Sequence, residues 1–378
     1  MLKKLLKITG IIFLLLAILV AILYFYPHPE NKIPSLKDLN ELDSFVEQVV
    51  KDNGLPSLGV AIIDSTGIQQ LSVSGVRRKG GNMPVTKVDQ YHLGSNTKAM
   101  TSLLTGMIIE EGLIDWETKI IEVFPELSGQ IHTDYHDITI HQLLTHTSGL
   151  PANYSRGDQF LDLEIRERRL KIIEKSLKNP PKNKKNEYLY SNLGYIIAGT
   201  ILERMTNKSW ETLMSEKLFI PLEMESADFG IPGTYGQEDQ PWGHIKLSGL
   251  LDFIGFQQDN PEALGPAGTV HCSMEDWSKF IGFQLMSKDT SQLSLLQRTK
   301  LLTPNKNNYA CGWSVIKPKW ADELVYTHAG SNTLNFSQCW IIPKENVGIL
   351  INSNAYSKNI RSLSRGVRNE ILEAYKAQ

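Results

Sequence analysis

Cysteine is scarce, with Cys272, Cys311 and Cys339 the only three in 378 residues. They match no metal-ligand spacing, and at most one disulfide can form with a thiol left over. Neither a zinc module nor a disulfide framework therefore organises this chain. Cys311 and Cys339 sit in strand-like runs and are read as packing residues, with their pairing left open. Charge of one sign is lacking too: 39 Lys and Arg stand against 41 Asp and Glu, for a net charge of −2. Without a long basic stripe, nucleic acid is excluded as the expected partner. The short cluster Lys182-Asn183-Lys184-Lys185 follows Pro180-Pro181 and reads as a solvated loop. Internal repeats are missing. So are Gly-x-Ser-x-Gly and His-Glu-x-x-His, which removes the nucleophile-elbow and zincin readings.

One long hydrophobic run is present. Lys3, Lys4 and Lys7 precede an apolar stretch from Ile8 to Tyr26, broken only by Thr9 and Gly10. A membrane span needs about 20 such residues, and flanking basic residues keep their end in the cytoplasm. No Ala-x-Ala-like cleavage site follows, and no nearby cysteine offers a lipid attachment point. Residues 1–26 are therefore read as an uncleaved signal anchor, and 27–38 as a stiff polar linker. The rest, 39–378, is placed outside the cytoplasm.

From Leu39 the pattern is that of one large domain. Leu39–Val50 reads as a helix ended by Asn53-Gly54. Leu58–Ile63 and Ile68–Val76 read as strands joined through Asp64-Ser65-Thr66-Gly67. A largely helical middle runs from about 97 to 302. Strand-like runs follow at Tyr309–Lys317, Leu324–Thr327, Phe336–Ile342 and Val347–Ile351, then an amphipathic helix from Ser357 to Tyr375. This order implies an α/β fold: one antiparallel sheet built from both ends of the chain, terminal helices packed on it, and an inserted helical subdomain. The cleft between the two parts is the expected ligand site, and the irregular stretch Phe229–Pro266 is expected to shape it.

Ser95-Asn96-Thr97-Lys98 carries the chemistry. It follows Gly94 and opens a helical pattern that runs to Glu111, so Ser95 and Lys98 share a face at i, i+3. A serine hydroxyl becomes a nucleophile when a neighbouring base takes its proton, and a lysine serves if burial lowers its pKa. The other copy, Ser314-Val315-Ile316-Lys317, lies in a strand-like run that points its ends to opposite faces. Tyr190-Ser191-Asn192 precedes a second helical run. Beside a lysine ammonium the Tyr190 phenol is expected to have a lowered pKa, and Asn192 suits an amide group. His328-Ala329-Gly330-Ser331 ends one strand-like run, with Gly330 letting a ligand approach the backbone. His92-Leu93-Gly94 is a second His-x-Gly. His132, His136, His141 and His146 are read as scaffold and surface histidines rather than metal ligands. Trp242 and Trp313 are read as either cleft-lining or core residues.

Ser-x-x-Lys, Tyr-x-Asn and His-x-Gly in that order resemble the serine β-lactamase and penicillin-binding superfamily. The similarity is to its class C β-lactamase-related branch, which also holds D-alanyl-D-alanine carboxypeptidases, D-aminopeptidases and esterases. Leu143–Pro151 and Gly265-Pro266-Ala267-Gly268 are similar to segments of that branch. The resemblance implies the β-lactamase/transpeptidase-like fold, with Ser95 as acylated nucleophile and Lys98 as its proton acceptor. It implies Tyr190 as the general base that protonates the leaving group and later activates water. Asn192 would bind the substrate, Asn153 would sit at a polar substrate-binding position, and the N–H groups of Ser95 and Ser331 would form the oxyanion hole. No metal or organic cofactor is implied. The expected partner is a small-molecule or peptide substrate. Class C enzymes carry Lys-Thr-Gly where this chain has His328-Ala329-Gly330; the histidine form, cationic only part of the time, points to a peptide or ester. A penicillin-binding sensor that acylates with little turnover is the alternative.

Overall fold

In the computed structural model the described residues are 26–181, 183–286, 290 and 293–377, with Phe13. The proposed anchor lies outside them, apart from Phe13 and Tyr26. Among the described residues no helix is long and apolar enough to cross a membrane.

Helix α1 (Leu42–Asn53) is stopped by Gly54, whose φ of 61° is the left-handed cap that glycine takes at least cost. Strands β1 (Ser57–Asp64) and β2 (Gly67–Gly75) form the expected hairpin. Asp64 Oδ1 accepts the Thr66 N–H at 2.7 Å and closes the turn. The short β3 (Gln90–His92) leads through a tight turn at Gly94–Asn96 into α2 (Thr97–Glu110). Every residue of α2 from Thr97 to Ile109 is buried, so it runs through the core rather than along its surface. Helices α3 (Ile165–Ser176) and α4 (Asn192–Thr206) follow, then β4 (Asp228–Phe229), β5 (Gly243–Ile245), β6 (Ile254–Phe256) and β7 (Val270–Ser273). After α5 (Met274–Leu285) come β8 (Tyr309–Ala310), β9 (Trp313–Ile316), β10 (Val325–Ser331), β11 (Phe336–Ile342), β12 (Val347–Ser353) and β13 (Ala355–Tyr356). Helix α6 (Ile360–Lys376) ends the fold.

Seven strands make the main sheet, in the order β2-β1-β12-β11-β10-β9-β8, with antiparallel pairs throughout. Both ends of the chain build it, as the pattern implied. Alternation along β1 sends Val60 and Ile62 to one face, against Val46 and Val49 of α1 and Val367 and Ile371 of α6. Ala61 and Ile63 point to the other, against α2 and α5. Burial on both faces explains why β12 is apolar along most of its length.

Three features differ from the sequence pattern. Tyr309–Lys317 is a tight hairpin rather than one run, because Gly312 turns the chain at φ 81°; a Cβ there would lie 2.5 Å from the Ala99 backbone. His328 lies inside β10, not at a strand end. The middle of the chain also holds four short strands, and α5 packs on the main sheet, where Gly348 makes room for Ile281. The three cysteines are free and buried.

Backbone packs on backbone where the Ser95 turn meets β10. A Cβ on Gly330 would lie 1.9 Å from Leu93 O and 2.8 Å from Ser95 N, and one on Gly94 would lie 2.3 Å from Ser331 N. Gly330 thus admits the Ser95 turn, not a ligand as the sequence reading had it. Gly330→Ala is expected to cost roughly 1–3 kcal/mol as overpacking. Thermal melting checks this; an unchanged melting temperature would contradict the packing.

Candidate active site

The site is assembled around an amine with no access to water. Lys98 is 0% exposed. Its Nζ has three neighbours: Ser95 Oγ at 3.1 Å, Asn192 Oδ1 at 2.7 Å and the Ala267 carbonyl at 2.7 Å. Two of these can only accept. A neutral amine has two N–H donors and one lone pair, so it satisfies both and turns its lone pair to the serine hydroxyl. Burial moves Lys98 in the direction this geometry requires, far below the ordinary lysine value. Aromatic walls exclude water: the Tyr190 and Tyr195 ring centroids lie 4.8 and 5.4 Å from Nζ.

Ser95 is partly exposed at the head of α2, where the helix N-terminus favours negative charge on Oγ. Tyr190 hydrogen-bonds with the Ser95 side chain, and burial drives the phenol well above its ordinary pKa. The expectation that a neighbouring ammonium lowers Tyr190 therefore fails. Burial lowers Lys98 and raises Tyr190 alike, so the phenol keeps its proton at rest. Ser191 caps α4 by accepting from Gly194 N at 3.0 Å, which sets Asn192 at the first helical position. Asn192 Nδ2 donates to exposed Asn153 Oδ1 at 2.8 Å, leaving its second N–H for a ligand. Helix α4 is itself held to α3 by the buried ion pair between Glu203 and Arg169.

His328 is buried, and its Nε2 lies 3.3 Å from Tyr309 Oη. Burial, the largest cause, lowers its pKa to about 3. It is a neutral wall of the site, not the part-time cation expected from its residue type. The cation whose field reaches both Tyr190 and His328 is Arg361, at the start of α6. Sequence reading gave no signal for it. Ser331 follows Gly330 at the end of β10, its N–H beside the Gly94–Ser95 turn. Trp313 is core, and half-buried Trp242 stacks on Arg78.

Two further groups escaped the sequence reading. His146, taken there as scaffold or surface, is fully buried with φ 58° and packs its ring 4.4 Å from Tyr190 and 4.8 Å from Tyr309. Its Nδ1 accepts from Ser191 N at 3.1 Å, so it supports the Tyr190–Asn192 segment from behind. The other group is a bridge. His92 Nδ1 accepts from Gly94 N at 3.0 Å while its Nε2 lies 2.6 Å from Asp259 Oδ1. The same carboxylate oxygen accepts from Asn332 Nδ2 at 3.2 Å. Asp259 therefore ties the residue before Ser95 to the residue after Ser331.

The Beta-lactamase family model matches residues 42–368. This chain belongs to the beta-lactamase family. Within the wider group of the family, it is 26% identical over 343 residues to Protein flp of Staphylococcus aureus (strain MW2), covering 88% of this chain. The match spans 66% of that protein's length. Identity is 25% over 355 residues to a Beta-lactamase of Providencia stuartii, covering 84% of this chain and 86% of the other. Two solved structures share the family fold. The octameric penicillin-binding protein homologue from Pyrococcus abyssi superposes with a TM-score of 0.67 at 22% identity, over 87% of this chain and 76% of the other. SurE superposes with a TM-score of 0.73 at 19% identity, over 89% and 76%.

Two outcomes follow. In the unfolded chain Lys98 binds a proton below about 10.5, while in the fold it stays neutral to far lower pH. Between those values the unfolded state holds the extra proton, so Lys98's contribution to stability rises with pH. Denaturant unfolding at pH 7 and at pH 9.5 should show the native chain gaining on Lys98→Met. A gap that does not change with pH would mean an ordinary lysine. Separately, if Ser95 is acylated with the Ser95 and Ser331 N–H groups as oxyanion donors, Asp259→Ala should slow that acylation roughly 10- to 100-fold. Asp259→Asn, whose Oδ1 still accepts from Asn332, should recover most of the rate in pre-steady-state kinetics. Equal rates in Asp259→Ala and the native chain would remove the bridge from the account.

Proposed function

We propose that this protein is a membrane-anchored, extracytoplasmic serine hydrolase that cleaves an amide or ester through an acyl-serine intermediate. One observation carries the reading: the amine of fully buried Lys98 lies 3.1 Å from the Ser95 hydroxyl, where a neutral form can take its proton. Ser95 Oγ attacks the substrate carbonyl carbon as Lys98 takes the hydroxyl proton. The carbonyl oxygen becomes an oxyanion against the N–H groups of Ser95 and Ser331. Collapse breaks the bond to the leaving group, which takes its proton from the Tyr190 phenol. Lys98 then returns its proton to Tyr190, with which it shares Ser95 Oγ as a neighbour. Water adds to the acyl carbon by the same path in reverse and releases Ser95. Asn192 and Asn153 would hold the substrate's amide side.

A neutral His328 argues for an ester or a D-amino-acid peptide over a penicillin, because no permanent cation stands at that position. The charge of Arg361 reaches Tyr190 and His328 and would favour an anionic group on the substrate. The anchor rests on Lys3, Lys4, Lys7 and the apolar run Ile8–Tyr26. A second reading, a penicillin-binding sensor that turns over little, is favoured by Tyr190. A phenol held far above its ordinary pKa is scarcely ionised at neutral pH, so little phenolate stands ready to activate the deacylating water.

Stopped-flow hydrolysis of a chromogenic ester and a chromogenic cephalosporin separates these. A burst followed by turnover, absent in Ser95→Ala, is expected with the ester. A stoichiometric burst without turnover would establish the sensor, and a burst retained in Ser95→Ala would refute the nucleophile.

A further inference from the structure

The β5–β6 hairpin carries apolar side chains that the fold does not cover. Leu247 and Leu250 in its loop are 53% and 50% exposed, and Ile254 at the start of β6 is 46% exposed. Between the two leucines stands Gly249, packed directly on the chain's N-terminal approach. A Cβ there would lie 2.0 Å from the Pro27 carbonyl and 3.1 Å from the His28 backbone. The apolar run Ile8–Tyr26 ends one residue before that contact. Tyr26 is itself 46% exposed. Basic groups surround the same point: the charges of Lys358 and Lys246 reach His28 there.

We infer that the β5–β6 loop, led by Leu247 and Leu250, docks into the lipid headgroup layer beside the point where the anchor leaves the bilayer. The inference rests on the anchor proposed above. If residues up to Tyr26 lie in the membrane, Pro27 is at its surface, and the loop in contact with Pro27 is at that surface too. Leucines at this depth remove apolar area from water, and Lys246 and Lys358 beside them favour anionic headgroups. The hairpin runs on into Gln258 and Asp259, which accept from Asn332 beside the oxyanion position. The membrane contact and the catalytic cleft therefore share one segment.

The full chain, reconstituted in phosphatidylcholine–phosphatidylglycerol vesicles, supplies the test. All three native cysteines are buried, so Leu250→Cys can be labelled selectively with an environment-sensitive fluorophore. Leu296→Cys, on a surface helix at a residue 75% exposed, is the control. Far-UV circular dichroism verifies that each variant is folded. Brominated lipids should quench the probe at 250 about twofold or more over the probe at 296. Equal quenching in protein that floats with the vesicles would overturn the docking and leave the anchor standing. Protein that does not float with the vesicles would overturn both.

Discussion

A primary amine cut off from water is the constraint on which the rest of this site depends. Burying an ammonium costs far more than burying an amine, so the fold favours the neutral form of Lys98, the form that the proposed reaction uses. Its surroundings are matched to that form. Asn192 Oδ1 and the Ala267 carbonyl use the two N–H bonds, and Ser95 Oγ meets the lone pair. In the proposed mechanism, nucleophile activation is thus a consequence of packing, not of a separate charge relay. The same burial raises Tyr190 and lowers His328 and His146, so every titratable wall of the site is neutral. A neutral cage keeps the local dielectric low and strengthens any charge that develops on the substrate.

Such a cage requires segments from distant parts of the chain to meet at van der Waals distance. Gly94 and Gly330 have no side chain at the point where the Ser95 turn and β10 touch. Ser337 Oγ fastens that turn to β11 by donating to Leu93 O at 2.6 Å, and Asn96 Nδ2 donates back to Ser337 Oγ at 2.7 Å. The bridge from His92 through Asp259 to Asn332 closes the same junction from the side of the long loop. The sheet built from both chain ends is what makes this junction possible, since β10 and β11 lie over two hundred residues after Ser95.

Much of this was legible in the sequence. Alternation and turn residues located β1, β2, β11 and α1, because each has one dominant periodicity. Ser95, Lys98, Tyr190 and Asn192 were legible because they stand at helix starts with fixed spacing, and the structure brings all four together. Burial was less legible. Nothing local in Ser-x-x-Lys says that Lys98 is sealed, so Tyr190 was read beside an ammonium and His328 as a part-time cation. Glycine misled in one place: Gly330 was read as space for a ligand when it is space for another strand of the same chain. His146 and Asp259 act through contacts with Tyr190, His92 and Asn332, and the charge of Arg361 reaches back to His328 and Tyr190, none of which a periodicity reports.

The protonation state of Lys98 is the centre of this account, and lysine-selective carbon NMR reads it directly. The Cε resonance that disappears in Lys98→Arg should titrate far below 10.5, with the amine still neutral at pH 7. A Lys98 resonance that titrates near 10.5 would mean an ammonium at rest, and the proposed base would be the wrong residue.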